Sequence, residues 1–454
     1  MEKLVKEYRG WTMGEIHNGR QLEQASLLGI VLSFSLFPES VSKELFPDMK
    51  SLSEEEARQV TAHARDLVEN FQNSTSSFFF ALLNKSEPKV KESMREWVWK
   101  ALMLNKSREH MNINHMTTSS SGMLFNLSHL LLQLSNKLLA NEGYKQVDPL
   151  SCYSQLALDF ENYAPIRHSD AVKKLISSSC EQRKQVNWKS FMQTSFGVSE
   201  SFFLTGLSLH LGFLRSVSEY EEIMRTLSRI QQVAQRRGDD LRLKALIEKT
   251  YSVVYTWRAQ LWSPTFLENA LQFYLSFASW AIFLLSSAKV QPCEEGQESD
   301  AWLRFRCIPQ FLFEDLVTFV VSMMHYSQVF PSTKKCYLLL TFVLTLLEQG
   351  DVCVNSPYLR GKLASLIYSI SPSNENIDPN KKLAMSASFE AFQKHPMLME
   401  TGITSLVKLH NDVEFTGRHT QFYDKFSLRI EVLRLFKYLR TLPFYSRSLK
   451  KASQ

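Results

Sequence analysis

Apolar residues recur at helical spacing in segment after segment of this 454-residue chain, and this periodicity most constrains its fold. In MLFNLSHLLLQLSNKL the spacing is carried by Leu124, Leu127, Leu131, Leu134 and Leu138. Such spacing places side chains on one face of an α-helix. The chain has only 15 glycines and 14 prolines, so few residues interrupt helices. No alternating polar and apolar run is long enough for a sheet. The sequence therefore predicts an all-α protein.

Capping boxes predict where two helices begin. Ser53 precedes Glu56, and Ser218 precedes Glu221, at the spacing that lets both side chains bind backbone N–H groups at a helix N-terminus. The first box is followed by an apolar stripe formed by Val60, Ala64, Leu67, Val68 and Phe71. Further helices are predicted near residues 311–325, 335–349, 358–370, 397–410 and 427–440, with loops at 288–302 and 371–382.

Successive amphipathic helices with short connections favour an α-solenoid, in which each helix pair buries its apolar face against its neighbours. A four-helix bundle would leave too many helices over. In the leucine-rich helix, Leu130 and Leu132 lie off the main stripe. We therefore expect this helix to be covered on more than one side.

The segment NALQFYLSFASWAIFLLSSA (269–288) has no charged residue and is as long as a membrane span. It could be a transmembrane anchor or a helix buried in a large helical core. Asn269, Gln272 and four serines reduce its hydrophobicity, and no strongly basic flank marks a cytoplasmic side. We favour the buried helix and expect no membrane insertion.

The charge balance gives little support to a nucleic-acid-binding function. The net charge is +6, and the densest basic run lies near the C-terminal end, at Arg434, Lys437, Arg440, Arg447, Lys450 and Lys451. A solvated helix face followed by a basic tail explains that run better than a nucleic-acid interface. We expect no nucleic-acid partner.

The six cysteines, Cys152, Cys180, Cys293, Cys307, Cys336 and Cys353, form no CxxC pair, so neither a zinc site nor a disulfide framework is predicted. The N-terminal residues MEKLVKEYRGW contain no apolar signal-peptide region. A cytoplasmic or nuclear location is expected.

Templates for catalytic sites are absent from the sequence. It contains no GxxxxGK[ST], GxGxxG, HExxH or GxSxG motif. His110 and His115 are five residues apart, which misses the spacing that puts two metal ligands on one helix face. The residues alone predict an interaction scaffold with no catalytic residue, no metal and no cofactor.

Eight segments, in order along the chain, resemble the core region of the ubiquitin conjugation factor E4 family. These are U-box ubiquitin chain-elongation factors of the ubiquitin-fusion-degradation pathway. The segments are LLGIVLSFSLFPESVSKELFP (27–47), SSSGMLFNLSHLLLQL (119–134), QVDPLSCY (146–153), SFFLTGLSLHLGFL (201–214), LQFYLSFASW (271–280), IPQFLFEDLVTFV (308–320), SPYLRGKLASLIY (356–368) and DVEFTGRHTQFYDKFSLR (412–429). Ser121, Gly361 and Ser427 stand where the family tends to have Asp, Ala and Asn.

The resemblance implies an armadillo-like helical superhelix. Residues 1–440 would form the core, incomplete at its C-terminal end, and residues 441–454 a basic tail. The family carries a C-terminal U-box that recruits the ubiquitin-loaded conjugating enzyme, and we expect this chain to lack it.

The functions that the resemblance implies are of two kinds. In the first, the chain is the core of a ubiquitin–protein transferase that extends chains on ubiquitinated substrates for proteasomal and endoplasmic-reticulum-associated degradation. Its partners would be a ubiquitin-conjugating enzyme, ubiquitinated substrates and the valosin-containing AAA ATPase segregase. In the second, the chain is a non-catalytic adaptor that binds the same partners without transferring ubiquitin, because the 454 residues alone are expected to be inactive.

The polar cluster at 412–429 lies where one predicted helix ends and another begins. Thr416 and Gly417 interrupt the helical pattern, which Phe426, Ile430, Leu433 and Phe436 resume. A structural corner, meaning a turn that packs two helices together, is favoured over a surface that contacts a partner. Catalysis is the least favoured interpretation. The residues expected in such contacts are Glu414, Thr416, Gly417, Phe422, Tyr423, Asp424, Lys425, Phe426 and Arg429, with Pro357, Tyr358, Leu359, Arg360 and Lys362 from the preceding segment.

Overall fold

A computed structural model describes residues 15–85, 87–110, 112–154, 160–185, 197–237, 240–288, 299–372, 386–415, 422–443 and 445. The chain divides into two compact units. Unit 1 comprises Met1–Leu138 and Val186–Asn269, and unit 2 comprises Leu139–Gln185 and Ala270–Gln454. The predicted boundary between a core at 1–440 and a tail at 441–454 stays a prediction, and residues 446–454 lie outside the described residues.

The helices of unit 1 are α1 Gly19–Ala25, α2 Leu27–Leu32, α3 Glu39–Leu45, α4 Glu54–Lys85, α5 Pro88–Met103, α6 Ser121–Leu139, α9 Val198–Ser208, α10 Arg215–Arg237 and α11 Leu241–Leu261. The two helices between α6 and α9, which are α7 Ser151–Ser154 and α8 Asp170–Gln185, belong to unit 2. A π-helical segment, Leu209–Leu214, joins α9 to α10. Helix α11 packs against α3, α4 and α10.

Helix α12, Pro264–Ser287, belongs to unit 1 up to Asn269 and to unit 2 from Ala270. The remaining helices of unit 2 are α13 Asp300–Arg306, α14 Gln310–Tyr326, α15 Thr333–Gln349, α16 Pro357–Ile370, α17 Ser386–Lys394, α18 Ile403–Phe415 and α19 Phe422–Thr441. Helix α16 is the centre of this group, because α14, α15, α18 and α19 all pack against it.

The all-α prediction is confirmed over the described residues. That part of the chain contains no strand, and an isolated antiparallel bridge joins Pro165 and Pro309. The five helices predicted in the second half correspond to α14, α15, α16, α18 and α19. Helix-on-helix packing within each unit is consistent with an α-solenoid.

One predicted capping box is confirmed and the other is wrong. The Ser53 Oγ accepts a hydrogen bond from the Glu56 backbone N–H at 3.3 Å, and the Glu56 carboxylate accepts one from the Ser53 N–H at 2.9 Å. Ser218, in contrast, lies inside α10, where its hydroxyl donates to the Leu214 carbonyl at 3.2 Å. The π-helical segment leads directly into α10, so no new N-terminus exists there for a box to cap.

The burial of α6 confirms that this helix is covered on more than one side. Every residue from 121 to 132 is buried, including the off-stripe Leu130 and Leu132. On α4 the predicted stripe is only partly correct, because Leu67 is 42% exposed whereas Ala64 and Val68 are buried. Helical spacing identifies the apolar residues but cannot say how far the neighbouring helices reach around them.

Helix α12 is long and apolar enough to cross a membrane by length and composition. Most of its apolar side chains are nonetheless covered by protein. In unit 2, Phe277 contacts Phe313 and Phe342, with ring centroids 4.9 and 6.0 Å away, and the Trp280 indole N–H donates to the Val147 carbonyl at 3.0 Å. This packing favours the interpretation of a buried core helix.

Candidate functional site

The N-terminal end of α16 carries the segment SPYLRGK, in which five of the predicted contact residues lie. Ser356 caps the helix, its Oγ accepting from the Leu359 N–H at 3.3 Å, and Pro357 occupies the first turn, where a missing N–H costs nothing. Leu359 and Arg360 are buried, with 0% and 8% exposure. These residues therefore serve packing within unit 2.

Tyr358 lies in the first turn of α16, and Lys362 lies one turn later. Both side chains reach the surface. Tyr358 is 46% exposed, and the Lys362 ammonium lies 4.9 Å from its ring centroid. The same ammonium is 3.7 Å from a carboxylate oxygen of Glu314 on α14. A cation–π contact and an ion pair thus hold an aromatic side chain at the surface, which is an arrangement suited to a protein contact.

The C-terminal half of α16 packs against α19, the helix that begins within the polar cluster. The Ser365 hydroxyl donates to the Glu431 carboxylate at 2.5 Å, and an Arg434 N–H lies 3.4 Å from the Tyr368 hydroxyl oxygen. Burial raises the pKa of Glu431. The structure therefore brings together the helices of the two predicted segments, through residues that sequence analysis did not select.

Arg429 is the member of the polar cluster whose side chain is described. Its Nε–H donates to His410 Nε2 on α18 at 3.5 Å, which ties α18 to α19. Thr416 and Gly417 lie outside the described residues, as do the side chains of Glu414, Phe422, Tyr423, Asp424, Lys425 and Phe426. The structural-corner interpretation of those residues stays a prediction.

The buried face of α19 differs from the stripe that the sequence indicates. Ile430 and Leu433 are 38% and 54% exposed, whereas Val432, Leu435 and Leu439 are at most 2% exposed. The helix has apolar residues on two faces, and only one of them meets its neighbours in unit 2. Spacing alone could not distinguish the two faces.

In unit 1, the SSSGM segment at the start of α6 lies in a polar network centred on Arg108, which is fully buried. The guanidinium donates to the carbonyls of Ser119 and Leu211, each at 3.0 Å, and to the Ser121 hydroxyl at 2.9 Å. A carboxylate oxygen of Glu219 lies 3.2 Å away, and the other Glu219 oxygen accepts from the Ser121 hydroxyl at 2.7 Å. Burial lowers the pKa of Arg108.

A second network in unit 1 joins α6 to the segment that follows α2. The Asn126 amide donates to the carbonyls of Leu32 and Phe34, at 2.9 and 2.6 Å, and its oxygen accepts from Gln72 at 2.9 Å. Two of the family-like segments, 27–47 and 119–134, are therefore held together by one buried side chain. Sequence analysis missed this role, because an asparagine inside a helical stripe gives no sign of its partner.

A third network in unit 1 contains a fully buried ion pair. Arg95 on α5 and Glu200 on α9 are 1% and 2% exposed and approach to 2.6 Å. The Glu200 carboxylate also accepts from the Trp99 indole N–H at 3.0 Å. Burial raises the pKa of Glu200, and the charge of Arg95 opposes that rise. Each of these three networks joins helices, or a helix and the segment next to it, within unit 1.

Residues 28–454 match the family described as ubiquitin elongating factor core. The chain belongs to this family. The match includes the segments that carry the resemblance noted from the sequence, apart from Leu27.

Relatives in three organisms are similar to the chain over almost its whole length. The "Probable ubiquitin conjugation factor E4" of Arabidopsis thaliana is 24% identical over 100% of the chain. The "Ubiquitin conjugation factor E4" of Schizosaccharomyces pombe and the "Ubiquitin conjugation factor E4 A" of Mus musculus are 20% and 24% identical, each over 96% of the chain. The chain spans 47%, 44% and 44% of these relatives, which is less than half of their length.

Four of the five described thiols of this elongating-factor core are poorly suited to covalent catalysis. Burial raises the pKa of Cys307 to about 12 and that of Cys336 to about 11, and it also raises the pKa of Cys152 and Cys353. A nucleophilic cysteine needs the opposite shift, because the thiolate is the reactive form. Among the described residues, no group of three or more His, Cys, Asp or Glu side chains could hold a metal ion.

His129 on α6 is expected to make unit 1 less stable in mild acid. It is 3% exposed, and burial lowers its pKa to about 4. Between pH 6.5 and 4 the unfolded chain binds a proton that folded His129 does not, so stability falls as the pH falls. We expect a loss of about 2 kcal/mol from this group between pH 7 and 5, measured by urea denaturation at each pH.

The control for this prediction is His129→Phe. Carboxylates also titrate in mild acid, so the informative quantity is the difference in pH slope between the two proteins. The wild-type slope should be the steeper one. Equal slopes would mean that His129 is protonated in the folded state or is hydrated more than its burial indicates.

Proposed function

We propose that the chain is the core scaffold of a ubiquitin chain-elongation factor, and that the whole protein acts as a ubiquitin–protein transferase. The observation that carries this proposal is the match of residues 28–454 to the ubiquitin elongating factor core. The names of the relatives, which are ubiquitin conjugation factors, support it further.

The proposed mechanism is catalysis by proximity. A conjugating enzyme carries ubiquitin as a thioester, and a lysine of an acceptor ubiquitin on the substrate attacks that thioester carbonyl. The conjugating-enzyme cysteine leaves as the thiol and an isopeptide bond forms. The scaffold contributes by holding donor and acceptor in a productive orientation, which needs rigid helices rather than a nucleophile of its own. Burial raises the pKa of Cys307 and Cys336, which is consistent with a scaffold that supplies no nucleophile of its own.

The mechanism implies a ubiquitin-conjugating enzyme and ubiquitinated substrates as partners. The resemblance to the family implies two further features, which we also propose: the valosin-containing AAA ATPase segregase as a partner, and a pathway of proteasomal and endoplasmic-reticulum-associated degradation. We propose a cytoplasmic or nuclear location. The outward-facing Tyr358 and Lys362 form one surface in unit 2 that could contact such a partner.

A second candidate is a non-catalytic adaptor. It is favoured by the three polar networks of unit 1, whose hydrogen bonds join helices and the segments next to them. In this role the 454 residues would bind the same partners without extending ubiquitin chains.

A chain-elongation assay tests the expectation, common to both candidates, that these 454 residues do not transfer ubiquitin by themselves. It combines the 454-residue chain, activating and conjugating enzymes, and a substrate that already carries one ubiquitin. We expect the chain to bind the ubiquitinated substrate in a pull-down but to add no ubiquitin beyond the control without it. Extension would place transfer activity within these 454 residues. Failure to bind the ubiquitinated substrate or the segregase would contradict both candidates.

A further inference from the structure

The hairpin formed by α10 and α11 ends in a tip where apolar and basic side chains are exposed together. Val233, Leu241 and Leu246 are 40%, 80% and 42% exposed. Arg236, near the end of α10, and Arg242, near the start of α11, are exposed as well. We call these five residues the hairpin tip.

Buried contacts hold the two helices together below the tip. Leu227 on α10 and Ile247 on α11 are each 5% exposed, so the apolar seam between the helices is closed. The Gln231 amide donates to the Tyr251 hydroxyl oxygen at 2.9 Å across that seam. The exposed side chains of the tip therefore project from a braced pair of helices.

Among the described residues, the carboxylate of Asp240 lies next to the tip in sequence and is already engaged. Asp240 is the N-cap of α11, and its side chain accepts hydrogen bonds from the backbone N–H groups of Arg242 and Leu243, at 2.9 and 3.4 Å. These two bonds satisfy backbone N–H groups at the start of α11 that have no partner within the helix. The Asp240 carboxylate is therefore bound to the backbone at the start of α11.

Farther from the tip, several basic residues of the hairpin have acidic partners. Arg225 lies 2.8 Å from Glu222, and Lys249 lies 3.0 Å from Glu39. Within the described residues, no ion pair involves the side chains of Arg236 or Arg242. The described positive charges at the end of the hairpin are therefore available to an acidic partner.

We propose that the hairpin tip binds an acidic protein segment that carries apolar residues between its carboxylates. Each guanidinium can accept a carboxylate in a two-point contact, and the three aliphatic side chains provide apolar anchors next to it. Charge complementarity is the basis for choosing an acidic partner. This binding goes beyond the proposed scaffold function and does not depend on ubiquitin transfer.

The composition of the tip favours a protein over a membrane or a nucleic acid. Helices that lie in a membrane interface bury a continuous apolar face with Trp, Phe or Leu, whereas the tip exposes three apolar side chains at the end of a hairpin, none of them aromatic. Nucleic-acid surfaces usually extend a basic patch along a phosphate backbone, whereas the unpaired charge here is confined to one end of a hairpin.

Fluorescence anisotropy with the 454-residue chain tests the proposal. The probe is a labelled synthetic peptide of Glu and Asp alternating with Leu and Phe. One comparison peptide replaces Leu and Phe with Ser, and another replaces the acids with Gln and Asn. We expect saturable binding of the probe, and about tenfold weaker binding of either comparison peptide. Raising the NaCl concentration from about 50 to about 300 mM should also weaken binding.

Variants of the chain locate the site. Arg236→Glu/Arg242→Glu and Leu241→Ser/Leu246→Ser are each expected to weaken probe binding about tenfold. These side chains are exposed, so the helical circular dichroism should be unchanged. Lys173→Glu/Lys174→Glu, on exposed positions of α8, makes the same change in net charge and should leave binding unchanged.

Three results would overturn the proposal. The first is no saturable binding of the probe. The second is equal loss of binding in the tip and α8 charge variants, which would indicate attraction by net charge alone. The third is tip-dependent binding of phosphatidylserine vesicles or of a single-stranded oligonucleotide under conditions where the acidic peptide does not bind.

Discussion

Glu200→Gln is expected to lower the free energy of unfolding of unit 1 by about 3–5 kcal/mol. The substitution keeps the size of the side chain but removes the charge that balances Arg95. Both side chains are nearly inaccessible to water, and they approach to 2.6 Å. A buried guanidinium without that counter-charge is costly, because the interior cannot solvate it as water does. Urea denaturation followed by tryptophan fluorescence measures the loss, since Trp99 contacts the same carboxylate.

A double-mutant cycle separates the pairing from the burial. Arg95→Met/Glu200→Leu removes both charges and fills the space with apolar atoms, and it should be more stable than either single variant. Arg225→Met removes one partner of an exposed pair and should change stability by less than about 1 kcal/mol. A cost below about 1 kcal/mol for Glu200→Gln would mean that water reaches the pair in solution.

The sequence was sufficient to predict helices where the apolar pattern is long and its boundaries carry local signals. Ser53 and Glu56 are an example, because the capping box depends only on residues within one turn. Ser218 and Glu221 have the same spacing but lie inside a helix, since the π-helical segment before them leads directly into α10. Local spacing cannot show that the preceding chain is already helical.

Close helix approaches depend on contacts that are distant in sequence. A Cβ added at Gly212, in the π-helical segment, would lie 2.6 Å from the Leu124 carbonyl oxygen on α6. The resemblance identified both segments, at 201–214 and 119–134, but not the reason for a glycine there. The physical reason is the space between two backbones, which no single stretch of sequence records.

The candidate site shows the same division between local and distant information. Pro357 and Tyr358 could be selected from the sequence because they belong to one family-like segment. Arg108 and Glu219 could not, because each lies in an ordinary charged stretch and their partnership spans 111 positions. Charged residues in such stretches are usually solvated, and only their burial in the structure reveals a different role.

Arg108→Met is expected to destabilise unit 1 by about 3–5 kcal/mol. The guanidinium is 0% exposed and donates to the carbonyls of Leu211 and Ser119. Methionine fills much of the space but supplies no donor, so those acceptors and the Glu219 carboxylate lose a partner. Arg108→Lys keeps the charge but cannot reach the same acceptors with one ammonium, and it should recover less than half of the loss. Full recovery with lysine would contradict the multipoint role of Arg108.

The same network predicts what an acidic residue at position 121 would do. Ser121→Asp should be destabilising, because the new carboxylate would lie beside that of Glu219, which is 2.7 Å from the present hydroxyl. In Ser121→Asp/Glu219→Gln a single carboxylate again faces Arg108, and most of the stability should return. Arg108 would then need one acidic partner, which either α6 or α10 can supply. If the double variant is as unstable as Ser121→Asp, the position of the carboxylate matters more than its charge.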